Sequence, residues 1–476
     1  MTRKPKILYI TAEISPYASA GGLGEVGRSF PKALHETGIA EVRRVMPLYK
    51  QVEANLSYLT DFPVEMDGGY ETCVLKKDNT DCEGIVTYFI GNDRYYYRDH
   101  IYAYEDDGFR FFFFCKAIVK MLTQIDFMPD IVHCNDWHTG FISLLVKKEF
   151  PSIKTVYTIH NICYHGYIAP AYLADQITPE EALELGAPEW LDFMKAGIRY
   201  ADLVTTVSPG YREEILQPDN NSDMLQLLED KQNSVVGILN GIDTRHYDPM
   251  NDGVLVYPYN LNCIEEKKKN RTLLRKKYGL PDTEVPLLAI ITRLEYAKGM
   301  DVLMKAISLI DKSTFQLIIM GSGNPYYFGL LQGIARQYPG NFVFVSQYNI
   351  ELARQIYAAA DIYLMPSLYE PCGLGQLYAM RYGTVPVVNP VGGLKDTVID
   401  DKKYPARSTG FYMQSWTGAS LSKAVKRAIK AYGTPRWFKL IQNTMNYNSS
   451  WERSVLEYKR YYELLLDTKL QDDLEK

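Results

Sequence analysis

The 476-residue chain is 46% hydrophobic and 23% charged, a composition typical of a soluble globular protein with at least two domains. Its 52 basic and 57 acidic side chains leave a formal net charge of −5, which argues against a nucleic-acid partner. No apolar run is long enough to cross a bilayer, so no membrane partner is expected. The seven cysteines form no CxxC pair and no signal peptide follows Met1, so we expect free thiols in a reducing cytoplasm.

The chain opens with a strand, a glycine-containing loop and a helix. Lys6–Thr11 is a short apolar run that predicts a buried strand, residues 13–24 form the loop, and Val26, Phe30 and Leu34 recur at helical spacing. In this order, the free N–H groups of the loop and helix end can meet a phosphate. A tight turn that binds nothing remains the alternative. The loop is not GxGxxG, so the pattern supports no dinucleotide site.

Polar clusters follow three further predicted strands in the first half, at 130–134, 154–160 and 202–207. Residues 52–110 alternate β-like runs with turns and predict an antiparallel insert. The cluster 133–138 contains His, Cys and Asp, which could suggest a metal. We reject a metal site because successive strand residues point to opposite faces and no HExxH or paired CxxC motif occurs.

The second half repeats the alternation of strands and helices from Leu287 onward, which predicts a second doubly wound sheet. The irregular segment 244–262, with its prolines and glycine, predicts a linker. The sequence therefore predicts two Rossmann-like α/β domains. Their expected bounds are 1–243 for the N-terminal domain, 244–262 for the linker or hinge, 263–450 for the C-terminal domain, and 451–476 for a final helix that packs back on the N-terminal domain.

The stretch Ser367–Met380 is the most distinctive of the second half. It follows an apolar strand at 360–366, and Pro371 and Gly373 predict a tight loop before a helix. Glu370 then lies at the carboxyl end of a strand, where open α/β sheets place their ligands. A carboxylate repels phosphate, so Glu370 is better suited to sugar hydroxyls. An ordinary turn with a surface Glu is the alternative.

Ordered motifs along nearly the whole chain resemble those of bacterial glycogen synthases and plant starch synthases, retaining glucosyltransferases of glycosyltransferase family five. The matching motifs are Gly21–Leu23, His133–His138, Tyr157–Asn161, Thr206–Pro209, Gly237–Asp243, Arg293–Leu294, Lys298–Gly299, Glu370–Leu374, Gln376–Tyr378, Arg381–Gly383 and Gly392–Thr397. The resemblance implies a GT-B fold, in which two Rossmann-like domains face a deep cleft. It also implies transfer of glucose from ADP-glucose to the 4-hydroxyl at the non-reducing end of an α-1,4-glucan or maltooligosaccharide.

The resemblance assigns roles to individual residues. Arg293 and Lys298 correspond to cations that neutralise the departing diphosphate, which requires no metal and no cofactor. Glu370 corresponds to the carboxylate that grips a glucose hydroxyl, and His160 to the residue at the 6-hydroxyl. The other donor-side residues are Gly21, Gly22, Leu23, Cys372, Gly373, Leu374 and Tyr378, the last near the ribose. Asp136 is expected at the sugar, with Trp137 and Asn161 on the acceptor side.

One position departs from the family pattern. The family usually has Lys two residues before Gly21, where this chain has Ser19. A positive charge near the substrates is therefore absent at that position. This leaves open a synthase that uses UDP-glucose, or a catalytically weak homologue that binds glucan.

Overall fold

The chain divides into two compact units. The structure, a computed structural model, describes residues 3–79, 83–173, 176–187, 189–217, 224–231 and 234–467. One unit runs from the N-terminus to Asn240 and includes the segment that begins at Trp451, and the other is Gly241–Ser450.

Strands and helices alternate through most of the described chain. The strands are β1 Lys6–Ile10, β2 Glu41–Pro47, β3 Leu56–Met66, β4 Gly69–Asp78, β5 Val86–Gly91, β6 Ile131–Asn135, β7 Lys154–Ile159, β8 Tyr167–Ile168, β9 Gly186–Ala187, β10 Trp190–Asp192, β11 Leu203–Thr206, β12 Val235–Gly237, β13 Leu287–Ile291, β14 Gln316–Met320, β15 Phe342–Val345, β16 Ile362–Met365, β17 Val385–Val388 and β18 Phe411–Tyr412. The helices are α1 Gly22–Glu36, α2 Asp93–Tyr96, α3 Asp107–Met121, α4 Gly140–Glu149, α5 Pro179–Leu185, α6 Phe193–Tyr200, α7 Pro209–Ile215, α8 Leu225–Asp230, α9 Glu266–Lys277, α10 Met300–Ser308, α11 Pro325–Gln337, α12 Ile350–Ala359, α13 Gly375–Arg381, α14 Gly392–Thr397, α15 Gly418–Ala431, α16 Pro435–Met445 and α17 Trp451–Leu466. Within the ranges given above, no helix combines the length and apolar character that a bilayer crossing requires.

The first unit is built on a mixed sheet. In its described part, nine strands pair in the order β12-β11-β7-β6-β1-β2-β5-β4-β3. The strands from β12 to β5 are parallel, whereas β4 pairs antiparallel with both β5 and β3. The antiparallel strands predicted in 52–110 are thus confirmed, but they extend the main sheet rather than forming a separate insert.

Helix α17 packs on the first unit through aromatic side chains at helical spacing. The Trp451 indole N–H donates to Ser29 Oγ at 2.8 Å, and the Phe30 ring lies 4.6 Å from the Tyr458 ring. The Tyr462 hydroxyl lies 2.7 Å from Nδ1 of the buried His133 on β6. The contacts join α17 to α1 and to the centre of the sheet.

The second unit is a doubly wound parallel sheet. Its described strands pair in the order β15-β14-β13-β16-β17-β18, all in parallel. Successive residues of β13 belong to different cores: Leu288 and Ile290 pack on one face, whereas Leu287 and Ala289 pack on the other. Because both faces are covered, the strand is a continuous apolar run without polar alternation.

The predicted linker at 244–262 is wrong, because this segment lies inside the second unit. Tyr247 and Tyr259 are buried in one of its two cores. The Arg381 guanidinium on α13 donates to the carbonyl oxygens of Tyr247 at 3.0 Å and Thr244 at 3.3 Å. Prolines and a glycine made the segment look like a flexible connection, but its apolar side chains bury it as ordered coil. The units instead divide at 240/241 and 450/451, so the N-terminal domain ends three residues earlier than predicted.

Candidate active site

Lys298 and Glu370 come together in the second unit as an ion pair. The ammonium Nζ of Lys298 lies 2.7 Å from Glu370 Oε2, and the two side chains are 19% and 12% exposed. Lys298 follows β13 and Glu370 follows the adjacent parallel strand β16, so both lie at the same edge of the sheet. Gly299 makes the approach possible: its φ is +78°, and a Cβ there would lie 2.1 Å from the Pro366 carbonyl oxygen.

The backbone of Glu370 and Pro371 is held by the first residues of α14. Gly393 N–H donates to the carbonyl oxygens of Glu370 at 3.2 Å and Pro371 at 3.1 Å. Gly392 has a φ of +43°, and a Cβ on it would lie 2.2 Å from the Glu370 carbonyl oxygen. The Ser367 hydroxyl donates to Glu370 Oε2 at 3.0 Å. The carboxylate is therefore held by its own loop as well as by the lysine.

Gln376 holds the backbone of the two residues that follow Pro371. Its side-chain amide donates to the carbonyl oxygens of Cys372 at 3.1 Å and Gly373 at 2.9 Å, and to Thr397 Oγ1 at 3.1 Å. Gly373 has a φ of +71°, which turns the chain before Leu374 and α13. Cys372 is buried. Gln376 has no predicted role, because nothing in its local pattern distinguishes it from a surface glutamine.

Arg293 and Tyr378 have different surroundings from the Lys298–Glu370 pair. The Arg293 guanidinium pairs with Glu295 at 3.0 Å, and the two side chains are 50% and 38% exposed, so the pair adds little stability. The Tyr378 ring is buried and lies 4.1 Å from the Tyr247 ring. The placement of Tyr378 near the ribose stays a prediction.

Asp136 in the first unit holds the backbone that follows β7. Its Oδ1 accepts the N–H groups of His160 at 2.7 Å and Asn161 at 3.2 Å. The residue has a φ of +55°, an uncommon conformation for an amino acid with a Cβ. Burial raises the pKa of Asp136 to about 7, against the opposing effect of the two N–H donors. The carboxyl group therefore titrates near neutral pH.

His160 is a neutral, oriented imidazole. Burial lowers its pKa to about 3. Its Nε2 lies 2.9 Å from Asn135 Oδ1, which also accepts the Tyr9 hydroxyl at 2.9 Å. The Asn135 amide donates to the Ile10 carbonyl oxygen at 2.9 Å, so its Oδ1 faces His160 as an acceptor. Nε2 then carries the proton and Nδ1 is left as an acceptor. Asn135 lies within the His133–His138 motif, but no role was predicted for its side chain.

Two N–H groups of the glycine loop are hydrogen-bonded within the protein. Gly21 and Gly22 are exposed and Leu23 is half-buried at the start of α1. The N–H groups of Ala20 and Gly21 donate to Glu13 Oε2 at 2.6 and 3.2 Å. The Gly21 N–H is thus engaged by protein, and the loop's capacity for an anion lies in the first turn of α1.

Trp137 and Asn161 are the two acceptor-side candidates. Trp137 is 8% exposed, and its indole stacks on the His138 ring at 4.1 Å and meets the Phe111 ring at 5.0 Å. The placement of Trp137 on the acceptor side stays a prediction. Asn161 is half-buried and its Oδ1 accepts the Cys163 N–H at 3.0 Å. In the described chain, no three His, Cys, Asp or Glu side chains cluster as a metal ion would require.

Comparison with known proteins identifies the family. Residues 6–230 match the starch synthase catalytic domain and residues 270–444 match the glycosyl transferases group 1. A glycogen synthase of Moorella thermoacetica is 40% identical, over 98% of both chains. The chain belongs to the glycogen and starch synthase family. A second glycogen synthase family member, from Desulforudis audaxviator, is 38% identical over 97% of this chain and 96% of its own.

Solved structures agree with this family membership. The catalytic domain of starch synthase IV from Arabidopsis thaliana, bound to ADP and acarbose, matches with a TM-score of 0.91 and 29% identity, covering 98% of this chain and all of that one. A sucrose-phosphate synthase from Thermosynechococcus elongatus, at 20% identity and a TM-score of 0.63, shares the fold. This glycogen synthase family chain has the GT-B type of fold predicted from its sequence, with two Rossmann-like α/β domains.

Proposed function

We propose that the protein transfers glucose from ADP-glucose to the 4-hydroxyl at the non-reducing end of an α-1,4-glucan, with retention of configuration. The observation that carries the proposal is the likeness, along the whole chain, to a starch synthase bound to ADP and acarbose. Supporting it, the second unit brings a lysine and a glutamate together at the end of its sheet. A cation suits a diphosphate leaving group, and a carboxylate suits sugar hydroxyls.

In this proposal Lys298 and Arg293 stabilise the negative charge that develops on the departing diphosphate. An ammonium has three N–H donors, and Glu370 accepts one of them from Lys298. The same side chain can therefore donate to phosphate oxygens while the carboxylate keeps it in place. Because Lys298 is held before the reaction, its charge requires little rearrangement as the leaving group forms. In this proposal the two cations supply the charge in place of a metal ion.

On the sugar side, Glu370 and His160 have complementary polar groups. The second oxygen of Glu370 can accept a glucose hydroxyl. His160 stays neutral because burial lowers its pKa to about 3, so its Nδ1 can accept a hydroxyl without carrying a charge near an oxocarbenium-like sugar. Asp136 positions the backbone of His160. These assignments require no protein nucleophile: the acceptor attacks on the face that the phosphate leaves, and the phosphate oxygen takes its proton.

The direct experiment supplies the full-length protein with glycogen and glucose-labelled ADP-glucose or UDP-glucose. We expect label in glycogen with ADP-glucose, at a kcat/KM at least about 10-fold above that for UDP-glucose, a difference of about 1.4 kcal/mol. β-Amylase should then release the label as maltose, which requires α-1,4 linkage at the non-reducing end. Label that stays soluble as free glucose, or that resists β-amylase, contradicts the proposal.

Ser19, in place of the family lysine, is the observation that favours a second candidate function. The protein would then be a synthase that uses UDP-glucose, or a catalytically weak homologue that binds glucan. The exposed hydroxyl of Ser19 donates to the Gly21 carbonyl oxygen at 3.1 Å, where the family lysine would add a charge. We expect Ser19→Lys to lower the KM for ADP-glucose by about 3- to 10-fold, because one added cation attracts the diphosphate. Preferential turnover of UDP-glucose by the wild type, or turnover only after Ser19→Lys, would favour the second candidate.

A further inference from the structure

Glu13 is a buried carboxylate that the family assignment leaves without a role. It follows β1, and its side chain and backbone together are 4% exposed. Its two carboxylate oxygens accept hydrogen bonds from different parts of the chain. Oε2 accepts the N–H groups of Ala20 and Gly21 from the glycine loop at 2.6 and 3.2 Å, whereas Oε1 accepts the Tyr102 hydroxyl at 2.8 Å. A single carboxylate thus joins the loop to a tyrosine more than 80 residues away in sequence.

Tyr102 is itself fixed by a stack of rings. It lies 4.8 Å from His138 with 27° between the ring planes, and His138 lies 4.1 Å from Trp137 with 29° between the planes. Burial raises the pKa of Tyr102 well above its usual value, so its hydroxyl remains a donor to Glu13. The stack continues to the strand-end segment that holds Asp136. The position of the loop is therefore coupled to the rigid core of the first unit.

We propose that Glu13 is a positioning residue that fixes the glycine loop for binding of the donor diphosphate, with Tyr102 as its anchor. The role in donor binding rests on the proposed function. Two consecutive N–H groups that point at Glu13 define the backbone at Ala20 and Gly21. That backbone in turn sets the direction of the first turn of α1, whose remaining N–H groups suit an anion. Three donors also disperse the charge of Glu13, which would otherwise repel a phosphate.

The matched test compares two tyrosines in the full-length protein. Tyr102→Phe removes the hydroxyl bonded to Glu13, and Tyr96→Phe removes a buried hydroxyl that donates to the Arg110 carbonyl oxygen at 2.9 Å. We expect Tyr102→Phe to raise the KM for ADP-glucose about 5- to 10-fold and to leave kcat within about twofold of the wild type. The variant loses a hydrogen bond to the charged Glu13, and in this proposal that bond supports donor binding and not the chemical step. Tyr96→Phe should leave both constants within about twofold.

Variants of Glu13 separate geometry from charge. Glu13→Ala removes the acceptor and should raise the same KM by at least about 10-fold. Glu13→Gln should recover part of that loss, because its amide oxygen can accept both loop N–H groups and its amide N–H can donate to the Tyr102 oxygen. A role in folding alone would lower the amount of active protein in each variant without moving KM.

Amide hydrogen exchange, followed by mass spectrometry on peptides covering residues 18–24, measures how firmly the loop backbone is held in the absence of substrate. Faster exchange in Tyr102→Phe than in Tyr96→Phe is the expected result. Equal exchange rates and equal KM values in Tyr102→Phe and Tyr96→Phe would overturn the positioning role. This comparison holds even when Glu13→Ala fails to fold. Wild type that does not turn over ADP-glucose would instead contradict the proposed function, and the exchange comparison would still decide whether Glu13 fixes the loop.

Discussion

Replacing Lys298 by alanine should abolish most transfer at a small cost in stability. The variant removes the ammonium 2.7 Å from Glu370 and leaves that carboxylate with the Ser367 hydroxyl at 3.0 Å. Since the paired side chains are 19% and 12% exposed, the pair lies between exposed and fully buried examples. We therefore expect a loss of about 1 to 3 kcal/mol in the free energy of unfolding.

The expected kinetic effect is larger and has a different origin. Removing one preorganised group that stabilises transition-state charge lowers kcat by about 100- to 1,000-fold, or about 2.7 to 4 kcal/mol. A loss of 1 to 3 kcal/mol in folding leaves nearly all molecules folded when the wild type has an ordinary stability of about 5 to 15 kcal/mol. Stability and kcat should therefore separate in this variant.

Arg427→Ala supplies the matched control. Arg427 pairs with Asp400 at 3.7 Å, and these side chains are 24% and 8% exposed. Urea denaturation and initial rates with ADP-glucose and glycogen should give similar stability losses for the two variants, with a large kcat loss confined to Lys298→Ala. Rates that fall equally in both, or a Lys298→Ala variant that keeps more than about a tenth of wild-type kcat, would refute the reasoning.

Three further predictions concern the buried groups and the loop behind Glu370. Burial raises the pKa of Asp136 to about 7, so the protonated carboxyl group stabilises the fold below about pH 4, and this contribution falls by up to about 4 kcal/mol as the pH rises to 7. The free energy of unfolding of Asp136→Asn, measured by urea denaturation at each pH, should lack this pH dependence. An unchanged pH dependence in the variant would contradict the raised pKa of Asp136. Burial lowers the pKa of His133 and His160 to about 3, so stability from these rings is lost as the pH falls below about 6.5, and their NMR signals should not titrate between about pH 8 and 5. Gly392→Ala should cost about 1 to 3 kcal/mol and lower activity, whereas Gly329→Ala, whose Cβ would meet nothing within 4 Å, should be neutral or stabilising by thermal denaturation.

The alternation of elements could be predicted because each has a strong local signal. The alternation predicted from Leu287 onward begins with β13 Leu287–Ile291 and includes β17 Val385–Val388, both of them short apolar runs followed by a polar residue. The final helix predicted within 451–476 is α17 Trp451–Leu466, where aromatic residues recur at helical spacing. Local hydrophobic pattern is sufficient for elements that bury a complete face.

The convergence of Lys298 and Glu370 followed from a general rule rather than from their own neighbours in sequence. Both lie after strands of one parallel sheet, and such ends meet at one edge. The rule could not tell which loops would touch. Direct contact depends on β13 and β16 being adjacent, and on Gly299 approaching the Pro366 carbonyl.

Long-range burial is what local patterns missed. The resemblance places Tyr378 near the ribose and Trp137 on the acceptor side, and the structure adds that each is buried against other rings. Glu13 begins the predicted loop 13–24, and nothing in the local pattern shows that it accepts three hydrogen bonds. The segment 244–262 had the composition of a linker, although its tyrosines fill a core. For Tyr378, for the Tyr102 hydrogen bond of Glu13 and for the segment 244–262, the partners lie far away in sequence.

A crystal structure of the protein with ADP tests the central claim most directly. The account predicts diphosphate oxygens within about 3 Å of the Lys298 ammonium and beside the Arg293 guanidinium, with Glu370 still holding the lysine. A nucleotide bound away from both cations would contradict the account.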